Sequence, residues 1–178
     1  KFEWKAADLP ATGPEAPAPL RWADFSEFSL AELITAAEKA CGSDTSLGSP
    51  PAYFKNYFQT LSDQMESRKH DFTASCLAHG GRVVGISILD LSPDAEAHLA
   101  SGPCVLMEYC GRGLASALFV HSLHVLKEKG LPVVRGVCLS RSRLHKYVYP
   151  KFHGSSTEAA FPGNPKSETS QVQETREP

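Results

Sequence analysis

Cys104-Val105-Leu106-Met107-Glu108-Tyr109-Cys110-Gly111-Arg112-Gly113-Leu114-Ala115 is the stretch on which the fold turns. Its first four residues are an apolar run that reads as a strand, 104–107. Residues Gly113 to Lys129 read as a long helix, with Leu114, Leu118 and Val125 on one stripe and Ala115, Phe119 and Leu126 beside it. A strand that enters a helix through two glycines lets the backbone approach a bulky anion closely. The first N–H groups of the helix then point at that guest, aided by the positive end of the helix dipole. Arg112 adds a mobile positive charge. A diphosphate suits such a place, although a glycine turn that only packs helix against strand gives the same pattern. Walker A is excluded because no Lys follows Gly113, and the dinucleotide fingerprint fails because Ser116 stands at its third glycine.

Outward from this turn, the periodicity changes several times. Phe2 to Asp8 reads as a strand with Phe2 and Trp4 on one face, and the Pro/Ala-rich residues 10–19 as a loop. Leu30, Leu33, Ile34 and Ala37 define an amphipathic helix that Asp24 or Ser29 can cap and Gly42 ends. A second helix runs from Pro51 to about Met65. Residues 72–78 and 83–89 form a hairpin about His79-Gly80-Gly81-Arg82. Residues 132–139 make a further strand, and Arg141 to Tyr149 a short helix stopped by Pro150. Beyond Ser155 the chain loses hydrophobic period and reads as a disordered tail, 155–178, after one domain over 1–154. The order β, α, α, β, β, β, α, β, α predicts an α/β (α+β) fold, a mixed sheet with helices on both faces.

Composition narrows the function. With 178 residues, 42% hydrophobic and 21% charged, the chain reads as one soluble globular domain. Eighteen basic against 20 acidic residues leave a net charge of -2, without the long-range pull on polyanions that a nucleic-acid binder needs. No apolar run approaches a membrane span, and no signal peptide opens the chain, which starts at Lys1 and reads as trimmed. Five scattered cysteines (Cys41, Cys76, Cys104, Cys110, Cys138) form no C-x-x-C pair, so reduced thiols in a cytoplasmic or nuclear protein are expected.

The stretch Val105 to Leu118 resembles motif A of the GNAT superfamily, the acetyl-CoA-dependent N-acetyltransferases, whose Q/R-x-x-G-x-G/A loop cradles the coenzyme A pyrophosphate. Cys110, Gly113 and Ala115 take the three marked places; the last two match, and Cys110 replaces Gln or Arg. Residues 140–152 are similar to motif B, with Ser140 at its Asn position, Tyr147 at its Tyr and Phe152 at its final Phe, while Lys151 replaces a Gly. The resemblance covers about residues 1–152. It implies an acyl-CoA N-acyltransferase fold with a mostly antiparallel central sheet, and acetyl-CoA as cosubstrate. Coenzyme contacts are then expected from Val105, Leu106, Met107, Cys110, Gly111, Arg112, Gly113, Leu114, Ala115 and Ser140. The resemblance further implies, as partner, a primary amine on a small molecule or peptide that attacks the thioester directly in a ternary complex. A non-catalytic domain that binds coenzyme A or a protein is the alternative.

Acetyl transfer requires a neutral amine, a stabilised oxyanion and a proton for the departing thiolate. The resemblance assigns the proton to Tyr147, with Tyr149 as a competitor. Asp94, Glu96 and His98 are candidate bases, although residues so placed are more often solvated loop residues. His121 and His124, at i and i+3, lack a third ligand, so no metal site is expected. Tyr53, Phe54, Tyr57 and Phe58 can pack a helix or roof an acceptor pocket. The two strands that usually follow motif B have no counterpart after Gly154. That leaves an exposed sheet edge and makes a homodimer one expected partner.

Overall fold

A computed structural model of the chain describes residues 1–9, 13–44 and 53–159. The expectations for 10–12, for the helix start at Pro51 and for the tail from residue 160 onward lie outside the described residues. The elements follow the hydrophobic pattern in order. Strand β1 (Phe2–Lys5) buries Phe2 and Trp4, then turns over Ala6–Asp8, where no large apolar side chain extends the buried face. Strand β2 (Arg21–Ala23) is only three residues long, too short for a period to show in the sequence. Helix α1 (Leu30–Gly42) begins at Ser29, whose hydroxyl accepts from the Glu32 N–H at 3.3 Å while the Glu32 carboxylate accepts from the Ser29 N–H at 2.8 Å. Asp24 makes the same reciprocal cap for a separate single turn, Phe25–Glu27, so both candidate caps are used on different elements.

Helix α2 (Tyr53–Ser67) precedes the hairpin of β3 (Phe72–His79) and β4 (Arg82–Asp90). Strand β5 is Cys104–Val105, shorter than the expected 104–107. Leu106 still donates to the Val84 carbonyl at 2.9 Å, but Met107–Tyr109 winds into a turn and leaves Met107 exposed. Helix α3 (Leu114–Glu128) follows, then β6 (Val133–Gly136), which ends before the expected Leu139 because residues 137–139 leave the sheet. The expected helix at 141–149 is a π turn over Leu144–Val148 joined to a 3-10 turn over Tyr149–Phe152. Strand β7 (Ser155–Ser156) corrects the tail: it pairs with Phe2 and Glu3 of β1, so order persists past residue 155 through backbone pairing that needs no hydrophobic period.

Two strand sets make the sheet, β2-β3-β4-β5 and β6-β1-β7, with antiparallel pairing throughout both. Leu99 joins them: it bridges Leu89 of β4 in antiparallel sense and Gly136 of β6 in parallel sense. Helices cover both faces, as expected. Phe72, Ala74, Cys76, Ile86 and Ile88 meet Leu33, Ala37, Phe58, Leu61 and Met65 of α1 and α2 on one face. On the other, Leu77, Val84 and Val105 meet Leu114 and Leu118 of α3, while Phe2, Trp4 and Leu99 pack with Phe119, Leu123, Leu126 and Tyr149. The alternation along β3 and β4 thus sends successive side chains into two separate cores. Among the described residues no helix is long and apolar enough to cross a membrane.

The expectation of reduced thiols fails at one pair. Cys41, in the last turn of α1, and Cys104, first in β5, form a disulfide with a Cα–Cα distance of 5.4 Å across 63 residues. Spacing in the sequence carried no sign of it, because the pairing is made by packing α1 over the sheet edge. Cys76, Cys110 and Cys138 are free.

Candidate functional site

The seam that Leu99 closes opens a few residues later. At residues 98–99 the segment is tied to both sides: Asp90 N–H donates to the His98 carbonyl at 2.9 Å, and Leu99 N–H to the Arg135 carbonyl at 3.0 Å. By Cys104–Val105 it pairs, among the described residues, with β4 alone, so its other edge faces a gap whose far wall is Val137, Cys138 and Leu139. Ala40 and Cys41 from α1, Asp44 just past its end, and Phe54, Tyr57 and Phe58 from α2 close the gap on one side. Ser142, Arg143, Leu144 and Val148 close it on the other. The result is a cleft of about 130 Å³ with a mainly apolar lining. A strand edge without a partner strand presents backbone donors and acceptors to an extended, amide-bearing ligand.

Cys110 and Ala115 also line this cleft, which places the glycine turn at its rim. Gly111 (φ 79°) and Gly113 (φ 74°) both sit in the left-handed region, which side chains with a Cβ rarely adopt, and a Cβ built on either meets nothing within 4 Å. The turn therefore needs glycine for its backbone shape and is open above. Ser116 and Ala117 N–H both donate to the Gly113 carbonyl at 3.1 Å, and Cys110 N–H to the Met107 carbonyl at 3.1 Å. Among the described residues, the N–H groups of Gly111 to Ala115 meet no backbone acceptor. This is the open donor set a diphosphate requires. Arg112 stays exposed, its guanidinium 5.7 Å from the Tyr109 ring centre.

Other expected residues are dispersed. Val105 lines the cleft, whereas Leu106 is buried facing α1, Met107 points to solvent and Leu114 is buried beneath the turn. Ser140 is exposed and outside the lining; Ser142, two residues on, is buried and within it. Tyr147 is 61% exposed and lines neither cleft described here. The π turn accounts for this, since its wider winding rotates position i+3 off the face that Leu144 and Val148 share. Tyr149 is fully buried among Phe2, Trp4 and Phe119, and burial pushes its phenol far above the ordinary range.

A second, more polar cleft of about 560 Å³ lies beyond the first. Asn56, Gln64, Arg68, Asp90, Asp94 and Glu96 contribute its polar wall. Tyr57 and Ala100 line both clefts, and the Tyr57 hydroxyl donates to the Ala100 carbonyl at their junction. Burial, reinforced by the negative charges of Glu96 and Asp90, holds the Tyr57 phenol well above its usual range, so it stays protonated. Of the candidate bases, Asp94 and Glu96 are exposed in this cleft. His98 is buried instead: its Nδ1 accepts from the Arg135 N–H at 2.9 Å and its Nε2 donates to the Ser92 carbonyl at 3.2 Å.

Other candidates are spent on structure. His121 Nδ1 lies 3.0 Å from the Ser75 hydroxyl and its ring stacks on Trp22, while His124 reaches Glu128 at 3.3 Å. Asp44 was not expected. It accepts from the Arg143 N–H at 2.9 Å and meets the Arg143 side chain at 3.5 Å, tying the end of α1 to the C-terminal turn across the cleft. No local pattern marks such a long-range pair.

A sheet opened at a seam, with a glycine turn and helix N-terminus at the mouth of the opening, is the GNAT acyl-CoA N-acyltransferase fold, and this chain has it. Among solved structures it is similar to a predicted acetyltransferase of Clostridium acetobutylicum determined with acetyl-CoA, at TM-score 0.51 and 13% identity, covering 80% of this chain and 92% of that one. It is also similar to a GCN5-related N-acetyltransferase of Kribbella flavida (TM-score 0.49, 16% identity), covering 86% of this chain but only 52% of that one. This chain thus spans about half the length of the Kribbella protein. An acetyltransferase of Trypanosoma brucei is similar at TM-score 0.47 and 19% identity, covering 80% and 95% of the two chains. No protein-family model matches the chain. No curated protein matches it.

Proposed function

We propose that the chain transfers an acetyl group from acetyl-CoA to a primary amine, by direct attack within a ternary complex. The observation that carries this reading is the one-sided pairing of Cys104–Val105, whose free edge faces a cleft with the open glycine turn at its rim. The residues present fit acetyl-CoA: the N–H groups of Gly111 to Ala115 take the diphosphate, and the free edge of β5 takes the pantetheine amides. When bound, acetyl-CoA supplies the activated acyl thioester.

The rest falls to the chain's own side chains. Asp94 and Glu96 attract an ammonium into the second cleft and, through water, accept the proton that frees its lone pair. Tyr57 keeps its proton where the two clefts meet and offers its O–H as a hydrogen bond to the thiolate as that departs, the thiolate taking its proton from water. In this reading the leaving group's hydrogen-bond donor is Tyr57 rather than Tyr147, because Tyr57 stands at the junction and Tyr147 is exposed. Calorimetry with acetyl-CoA tests the groove, and a thiol-release assay over a panel of primary amines tests the transfer. Binding with release on at least one amine is expected. Binding without release across the panel would favour the non-catalytic reading, and no heat at millimolar ligand would overturn both.

A further inference from the structure

Four of the chain's five cysteines, Cys41, Cys104, Cys110 and Cys138, line the one cleft. Two of them are joined there. Cys104 supplies both half of the disulfide and the first residue of the strand edge assigned to pantetheine. Cys41 is only partly buried, whereas Cys104 is 7% exposed, so the cleft offers a nucleophile the Cys41 sulfur first. The Ser101 carbonyl oxygen lies 3.5 Å from the Cys41 sulfur and 3.3 Å from that of Cys104, ready to accept a hydrogen bond from a released thiol. Cys138 does not compete, since burial pushes its thiol up to about 11.

We propose that the Cys41–Cys104 disulfide is a site of thiol exchange with free coenzyme A, so that the product of acetyl transfer caps the cleft in which it forms. The inference rests on the groove proposed above. The coenzyme A thiolate attacks the Cys41 sulfur and forms a new S–S bond; the Cys41–Cys104 bond breaks, and its electron pair leaves on Cys104, which takes up the proton. One disulfide is consumed and one is made, so no outside oxidant or reductant is needed. Acetyl-CoA cannot react this way because its sulfur is acylated. The exchange therefore reads the ratio of free to acetylated coenzyme. Cys104 stays beside the new bond and can reverse it, so the adduct accumulates only while the groove also holds the coenzyme.

The test starts from protein purified without reductant, whose disulfide is confirmed by intact mass. It is incubated with coenzyme A, acetyl-CoA or glutathione, quenched by alkylation, weighed intact and peptide-mapped, with coenzyme binding measured separately by calorimetry of the same disulfide-bonded protein with acetyl-CoA, which cannot exchange. Expected is one coenzyme A on Cys41 and an alkylated Cys104, formed at least about tenfold faster than the glutathione adduct because the groove raises the local concentration. Acetyl-CoA in excess should slow the reaction of coenzyme A and leave that of glutathione unchanged. Equal rates for the two thiols, or an adduct confined to Cys110 or Cys138, would overturn the proposal, as would a missing disulfide in the starting protein. Coenzyme binding without any adduct overturns this inference alone. Absence of binding overturns the groove and the inference together.

Discussion

The Tyr57 hydroxyl donates to the carbonyl of Ala100, and these same two residues line both the apolar and the polar cleft. A side chain from α2 is thus fixed on the segment just past the seam, where the two clefts adjoin. Removing the hydroxyl takes away a held proton and little packing. Tyr57→Phe should lower turnover about a hundredfold, in the range of a lost hydrogen-bond donor to developing charge, while leaving coenzyme affinity within about twofold. Tyr147→Phe, at an exposed position, should leave both unchanged. Stopped-flow thiol release and calorimetry on the two variants check this, and a larger turnover loss for Tyr147→Phe would assign the leaving group's donor to that residue.

Gly113 carries the second prediction. Its φ of 74° is unfavourable for any residue with a Cβ, at a strain of about 1–3 kcal/mol, and the space above it is open. In Gly113→Glu the added carboxylate occupies that space beside the free N–H groups of the helix start. Coenzyme binding should be lost from the calorimetric trace, with the thermal midpoint lowered by the strain. Affinity retained at the native level would show that these donors do not hold the diphosphate.

The sequence made the frame of the fold legible because the long elements carry clean periods: α1, α3 and the β3–β4 hairpin lie within a residue or two of their expected bounds. The glycine turn was equally plain, since Gly111 and Gly113 each answer a backbone demand that only glycine meets. What escaped is long-range or too short to repeat. Strand β2 has three residues, β7 has two, and the Asp44–Arg143 and Cys41–Cys104 pairs join positions 99 and 63 residues apart. The exposure of Tyr147 escaped for a different reason. An α-helical phase turns it inward with Leu144, and the π winding that turns it outward leaves no compositional mark.

The disulfide itself gives a third prediction. Closing a loop across 63 residues restricts the unfolded chain and stabilises the fold by about 4 kcal/mol on the chain-entropy estimate. Protein denatured without reductant should titrate three thiols, those of Cys76, Cys110 and Cys138, and five after reduction. Cys41→Ser/Cys104→Ser should unfold at lower denaturant concentration. Five thiols before reduction would contradict the pairing.

Acid should loosen the seam from the side of His98. Burial, helped by the neighbouring Arg135 charge, holds the His98 imidazole below its usual range. The neutral ring is also the form the structure needs, because Nδ1 accepts the Arg135 N–H at 2.9 Å and a protonated nitrogen cannot accept. Since the folded value lies below the unfolded one of about 6.5, the folded state disfavours the charged form. The stabilising contribution is therefore complete above about pH 6.5 and is lost as the pH falls through the folded value. His121, shifted down by burial as well, acts in the same direction. The thermal midpoint should fall as pH is lowered from 8 to 5. In His98→Gln the side-chain oxygen can still accept from Arg135 and the amide can still donate to Ser92, but nothing titrates, so the fall should be shallower and the His121 part should remain. Identical slopes for the two proteins would mean that His98 does not hold β6 to the segment that opens into the cleft.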